Sequence, residues 1–224
     1  MPDALLALEG VTLAAPDGRM VFEELSWRLE KGSRFHITGG LGTGATALLR
    51  LCAGLAKPLR GCALLDGVEI DLDTLGHPYL NAGLLGWVPT DGGLAVNLSL
   101  LENVALPLRF ALKYSKEEAE AQAALWLERA GLSPIAQSRP RLPADRVSWL
   151  ASLARAGAKG SKLWLVDRPA GGLDQASIRG ALAILEVAAK DPETTLVMVG
   201  GDWMSTLGEA LSIEDGRVIS GSGA

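Results

Sequence analysis

Four glycines fall within the six residues Gly39–Gly44, after the run Phe35 to Ile37 and before a segment carrying Leu48, Leu49 and Leu51. Such a strand, loop and helix succession lets consecutive backbone N–H groups turn inward on a phosphate at the positive end of the helix. The candidate phosphate-binding set is therefore Gly39, Gly40, Gly42, Thr43, Gly44, Ala45 and Thr46. Loops of this kind place a lysine before the Ser or Thr to reach the outer phosphates. That position is Ala45, whereas Thr46, whose hydroxyl would face a metal, is present. Two other readings of this window stand beside the first. Gly42, Gly44 and Ala47 also satisfy a dinucleotide-binding fingerprint, with Asp66 near the place of a ribose-binding acid. A glycine-rich turn that only packs tightly is the third.

Composition sets limits on the rest. At 224 residues, 48% hydrophobic and with a formal charge of -5, the chain suits one domain with a subdomain, and its acidic balance argues against a nucleic-acid surface. Cys52 and Cys62 lack metal-ligand spacing and are expected to be reduced core residues. The opening MPDALLALEG has no basic leader, and nowhere do 18 apolar residues run together. No signal peptide or membrane span is expected, so any membrane role is peripheral.

The elements that must position the loop follow from periodicity. LLALEGVTLAA and MVFEELSWRL, separated by PDGR, predict an antiparallel pair ahead of the loop, and CALLDGVEI another strand with a turn. From about Leu100 to Gly131 the pattern is helical, with a cap signal at Ser115 and Glu118. A break at SRPRLPAD precedes a helix from Arg146 to Ala156. KLWLVD and TTLVMVGG read as buried strands around a helix from Gln175 to Ala189, and LSIEDGRVIS as a closing hairpin. The class is α/β, with a mostly parallel core, an N-terminal antiparallel β subdomain and a helical insertion.

LWLVDRPAGGLD, Leu163 to Asp174, resembles the ATPase domains of ABC transporters, in which an apolar strand ends in Asp-Glu-Pro and a turn closes on Leu-Asp. GVTLAAPDGRMVFEELSWRLEKGS, LLDGVEI, LGWVPTD and IEDGRVISGS resemble the family's leading strands, the strand after the loop helix, the Q-loop strand and the closing hairpin. The insert, with SLLENVALPLRF and KEEAEAQAALWLERAGL, looks most like Mla-type lipid transporter ATPases and the related lipoprotein and cell-division branches. The resemblance implies a P-loop NTPase (RecA-like) core in a single domain over 1–224. About 1–76 and 157–224 would form the β subdomain and core, and about 77–156 the helical subdomain.

Departures from the family pattern fall on its chemistry. Ala14-Ala15 replace the adenine-stacking aromatic, Ala45 the lysine, Thr90 the Q-loop glutamine, Arg168 the water-polarising carboxylate and Gly201 the switch histidine. The LSGGQ signature corresponds to Pro143-Ala144-Asp145-Arg146-Val147. The loop glycines, Thr46, Asp167, Leu173-Asp174 and Asp202 remain. Thr46 and Asp167 would hold a metal only with nucleotide bound; the blander reading has Asp167 capping the loop backbone or pairing with Arg168. Arg168 is either an ion-pair residue or a substitute phosphate contact, and Trp149 and Trp203 read as packing.

The resemblance then implies a pseudo-ATPase subunit on the cytoplasmic face of a membrane, with ATP and Mg bound weakly or not at all. Its expected partners are an integral membrane permease and a homologous ATPase subunit, as homo- or heterodimer, and its expected cargo is lipid or phospholipid. A homodimer would hold two defective sites. The permease would dock along Leu94, Val96, Leu98, Leu100, Leu101, Val104 and Leu106. A weakly active ATPase and a free-standing interaction protein are the alternatives.

Overall fold

The computed structural model describes residues 4–15, 17–38, 42–70, 82–143 and 145–220. Alternation of apolar and polar residues builds the first sheet. β1 (Leu6–Ala14) and β2 (Met20–Leu29) pair antiparallel, and β4 (Arg60–Leu65) and β5 (Val68–Glu69) extend the sheet in the order β2-β1-β4-β5. One face, with Leu6, Leu8, Phe22, Leu29 and Leu65, is buried.

The second sheet has the order β10-β9-β3-β8-β7-β6, from β3 (Arg34–Thr38), β6 (Leu85–Val88), β7 (Leu163–Val166), β8 (Thr195–Val199), β9 (Glu209–Glu214) and β10 (Arg217–Ser220). Only the terminal β9–β10 hairpin is antiparallel within it. β7 and β8 are buried at every residue, which is why both read as unbroken apolar runs. The expected α/β class, mostly parallel core and antiparallel β subdomain are all found. The dinucleotide alternative is not: β4, which follows the loop helix, runs antiparallel in the other sheet, and Asp66 sits in the β4–β5 turn at φ 52. A nucleotide-binding βαβ unit would return that strand parallel.

Helices α1 (Ala45–Cys52), α2 (Leu100–Phe110), α3 (Lys116–Arg129), α4 (Arg146–Ala158) and α5 (Gln175–Lys190), with short 3-10 helices at Ser133–Ile135 and Asp202–Leu207, complete the described elements. The helical stretch expected over 100–131 is two helices, because Lys113 turns left-handed at φ 64 and Ser115 opens a new one. Reciprocal capping boxes start both: Ser99 with Glu102, and Ser115 with Glu118. The Ser99 and Ser115 donors hold the Glu102 and Glu118 carboxyls below their ordinary range. Cys52 is buried, which pushes its thiol up to about 12, and neither cysteine is bonded to another.

Two apolar cores meet across the parallel sheet. One joins Phe22, Leu48, Leu49 and Leu65 to Leu165 and Val197; the other joins Val104, Leu127, Trp149 and Leu153 to Trp164 and Ile184. In the second, α3 and α4 approach through Gly157, where a Cβ would stand 2.2 Å from the Trp126 ring. Arg129 covers that ring at 4.7 Å. Alanine gains about 1 kcal/mol over glycine inside a helix, whereas overpacking costs about 1–3 kcal/mol. With the indole held on both sides the second effect wins. Gly157→Ala is expected to lower the thermal midpoint, by about 2–4 °C for each kcal/mol lost. Adding Trp126→Leu should remove the penalty, and calorimetry of the two single variants and the double variant checks this.

Candidate functional site

Asp167 follows β7 and is 1% exposed. Its N–H donates to Val88 O at 2.8 Å, and its carbonyl accepts from Trp149 Nε1 at 2.8 Å. The carboxylate accepts three further hydrogen bonds. Thr46 Oγ1 reaches Oδ1 at 3.2 Å, the Arg168 N–H reaches Oδ1 at 2.9 Å, and Thr90 Oγ1 reaches Oδ2 at 2.9 Å. A buried carboxylate needs such donors, since its hydration is gone. Parallel pairing of β6 with β7 brings Thr90 alongside, and Ala170 N–H closes on Thr90 O at 2.9 Å.

Thr46, Thr90, Asp167 and Arg168 thus converge, while Gly201 stands apart. A Cβ at 201 would lie 3.2 Å from the Trp203 ring, so a side chain there asks that ring to give by a few tenths of an ångström. Trp203 in turn meets Trp149 edge-on, with centroids 6.4 Å apart. The sequence suggests only packing for these two tryptophans, and no residue pattern signals that the Trp149 indole holds the Asp167 backbone. Of the signature counterpart, Asp145 caps α4 itself. Its Oδ1 accepts from Val147 N–H at 3.1 Å and Ser148 N–H at 3.2 Å, so a carboxylate of this chain already takes the donors of that helix end. Arg146 pairs with Asp174 at 3.3 Å, and Asp174 caps α5 through Ser177 N–H at 2.8 Å. Gly39, Gly40 and Ala144 lie outside the described residues.

Gly42, Thr43, Gly44, Ala45 and Thr46 line one wall of a cavity of about 520 Å³. Gly44 opens α1 at φ 94, where a Cβ would meet Val21 Cγ1 at 2.9 Å. Ala14, Ala15, Leu13 and Val21 form another wall, and Arg19, Arg50, Lys57 and Arg168 supply its charge. Among the described residues no carboxylate lines it, although Asp167 lies beneath Thr46. A divalent cation fits this chemistry poorly. Magnesium is held through one or two carboxylates together with substrate phosphates. Here the nearest carboxylate accepts from three donors, Arg168 lines the same cavity, and among the described residues no group of three or more His, Cys, Asp or Glu could hold a metal.

A groove of about 600 Å³ lies at the β6 edge of the sheet, lined by Leu85, Trp87, Leu106, Phe110, Arg155 and Lys159 among others. Phe110 is 64% and Leu106 40% exposed. Of the seven residues expected along this edge, only Leu106 reaches the groove. Leu100 and Val104 are buried, Leu94 and Leu101 pack against that core, Leu98 is half-buried and Val96 is exposed outside it. Arg155 donates to Gly92 O and Gly93 O, and Lys159 Nζ to Leu85 O.

Burial and the nearby Arg155 lower the Lys159 ammonium from 10.5 to about 8. Below about pH 8 the lysine is charged whether folded or unfolded, and folding carries its full desolvation cost. As pH rises from about 8 to 10.5 the folded state releases its proton first, so this contribution to stability improves with pH. Relative to Lys159→Met, the unfolding midpoint of the unaltered chain is expected to rise across that window. Parallel denaturation at pH 7, 9 and 10.5 measures the difference.

Comparison with known proteins matches this geometry to a family. A family model described as ABC transporter matches residues 22–171. The lipoprotein-releasing system ATP-binding protein LolD of Hydrogenovibrio crunogenus is 30% identical over 206 residues, 90% of this chain and 89% of that protein. The macrolide export ATP-binding/permease protein MacB 1 of Yersinia pestis is 28% identical over 226 residues, 99% of this chain; the chain spans only 35% of that protein's length. Among solved structures, the dimeric structure of MJ0796, a bacterial ABC transporter cassette, superposes with a TM-score of 0.80 at 26% identity, covering 95% of this chain and 96% of that one. A dimeric post-hydrolysis state of MJ0796 bound to ADP and Pi gives 0.82 at 24% identity, covering 98% of this chain and all of that one, a likeness of fold. On this family match over two thirds of its length and on its likeness to LolD, the chain belongs to the ABC transporter family as an ATP-binding domain.

Proposed function

We propose that this chain is a non-hydrolysing ABC-type subunit of a membrane transporter for lipid or lipid-linked cargo. It docks on an integral membrane permease at the cytoplasmic face, pairs with a homologous ATPase subunit, and holds Mg·ATP weakly or not at all. The observation that carries this reading is what surrounds Asp167: hydroxyls from Thr46 and Thr90 and the N–H of Arg168, with no base among them. Phosphoryl transfer depends on positioning and charge neutralisation, and a single base or water-orienting group is worth roughly 10² to 10⁴ in rate. Such effects are not additive, yet Ala45, Thr90, Arg168 and Gly201 together leave no member of the unit in place.

The other half of a shared site is altered too. In the family the signature helix end of one subunit faces the partner's loop; the Asp145 carboxylate at that end would repel a phosphate approaching it. Among the described residues no helix is long and apolar enough to cross a membrane. The β6-edge groove suits a docking role, since exposed Phe110 and Leu106 rim a concave apolar surface. The lipid cargo rests on the insert's likeness to lipid-transporter ATPases and on the similarity to LolD, the ATP-binding protein of a lipoprotein-releasing system.

The purified chain is expected to release no phosphate from ATP above an Asp167→Asn blank, alone or with its permease. Turnover that disappears in that variant would favour the weakly active alternative. In native membranes the chain should co-purify with a permease, and Phe110→Glu together with Leu106→Glu should abolish capture with an unchanged thermal midpoint. Soluble recovery without any membrane component, after crosslinking in membranes, would favour the free-standing alternative.

A further inference from the structure

Among the described residues the exposed aromatic rings are Phe110, at 64%, and Tyr114, at 43%. Both belong to the end of α2, and the backbone there is fixed. Leu112 N–H donates to Pro107 O at 3.3 Å and Tyr114 N–H to Leu108 O at 3.1 Å, so the chain wraps back on the last turn of the helix, with Lys113 making the bend at φ 64. The capping box at Ser115 holds the other side. The two rings are therefore presented to solvent by ordered structure.

Cations surround them. Arg109 lies 5.8 Å from the Phe110 ring centroid, Lys113 and Lys116 bracket Tyr114 in the chain, and all three are exposed. No Asp or Glu occurs from Asn103 to Lys116, and the acidic run resumes at Glu117. Of the nearest acids, Glu102 and Glu118 are committed to capping boxes and Glu120 stands 3.8 Å from Lys116. The adjoining groove has the same sign, since Arg155 and Lys159 line it and, among the described residues, no acidic side chain does. On a chain of formal charge -5 this is a local reversal.

Aromatic rings set among Lys and Arg suit a boundary where hydrocarbon meets charged headgroups. The cores of protein interfaces are depleted in lysine, whereas a diffuse anionic surface accepts lysines at any spacing. We propose that the α2 end, with Arg109, Phe110, Lys113, Tyr114 and Lys116, is a contact for an anionic lipid surface, the rings entering the headgroup layer and the cations meeting its phosphates. The proposal rests on the peripheral membrane placement of the proposed function, and adds to it a lipid contact beside the permease groove. Acidic side chains elsewhere do not cancel the attraction, because salt screens exposed charges beyond about 8 Å. Each cation at an anionic surface strengthens binding about fivefold.

Cosedimentation of the purified chain with vesicles of phosphatidylcholine alone, and of phosphatidylcholine with about one third phosphatidylglycerol, tests this. Binding is expected to the anionic vesicles alone and to fall as salt is raised. Arg109→Ala with Lys113→Ala should weaken it about twentyfold at an unchanged thermal midpoint, and adding Tyr114→Ala should abolish it. Arg109→Lys with Lys113→Arg, which keeps the charge, should stay within about twofold, as should Arg28→Ala with Lys31→Ala, which removes the same charge from the first sheet. Equal binding to neutral vesicles, no binding to anionic ones, or an equal loss in the Arg28 and Lys31 pair would each overturn the proposal. So would loss of permease capture in detergent by Arg109→Ala with Lys113→Ala without any vesicle binding, which would make the patch part of a protein dock. Absent vesicle binding with permease capture intact would sink this inference alone, whereas vesicle binding without permease capture would sink the reading beneath it.

Discussion

A carboxylate taken out of water inside a protein costs several kcal/mol unless donors surround it, and the site is organised around meeting that requirement at Asp167. The buried β7 strand delivers the residue to the sheet end, and β6 beside it carries the Thr90 hydroxyl within 2.9 Å. α1, entered through Gly44, presents Thr46 from the other side, and the chain's next N–H closes the set. Behind it the Trp149 indole ties the same backbone to α4 and hence to the helical layer. Sheet, loop helix and helical insert therefore meet at a single side chain. Its hydrogen-bonding capacity is directed inward, to the protein.

The donors on Asp167 are short neutral groups that tolerate burial, so the arrangement needs no ligand to be satisfied. Asp145 does the same for α4, using its own carboxylate where the helix end would otherwise seek an anion. Among the described residues an apolar groove beside β6 stays exposed.

Much of this was legible from residue order because the signals were local. β7 and β8 are buried on both faces and so appear as continuous apolar runs, and the Ser115–Glu118 box marks a helix start wherever it occurs. The departures at Ala45, Thr90, Arg168 and Gly201 are legible only against the family pattern that the motifs around Leu163 to Asp174 resemble. Long-range facts were hidden. Thr90 and Asp167 are 77 residues apart, and their hydrogen bond depends on the register of two parallel strands. The expected docking edge failed for the same reason: of an apolar segment running from Leu94 to Leu106, helix geometry turns Leu100 and Val104 inward and leaves only Leu106, with Phe110 beyond it, on the groove. Nothing in a helix surface or a Lys-Pro turn announces that Arg50 and Lys57 line one cavity.

The contact between Gly201 and Trp203 couples an exposed turn to the buried strand end. A Cβ at 201 would stand 3.2 Å from the ring, so any side chain there asks the half-buried indole to give by a few tenths of an ångström. Trp203 leans edge-on against Trp149, whose indole N–H holds the Asp167 carbonyl. A change of side chain at the surface turn is therefore relayed, through two rings, to the end of β7.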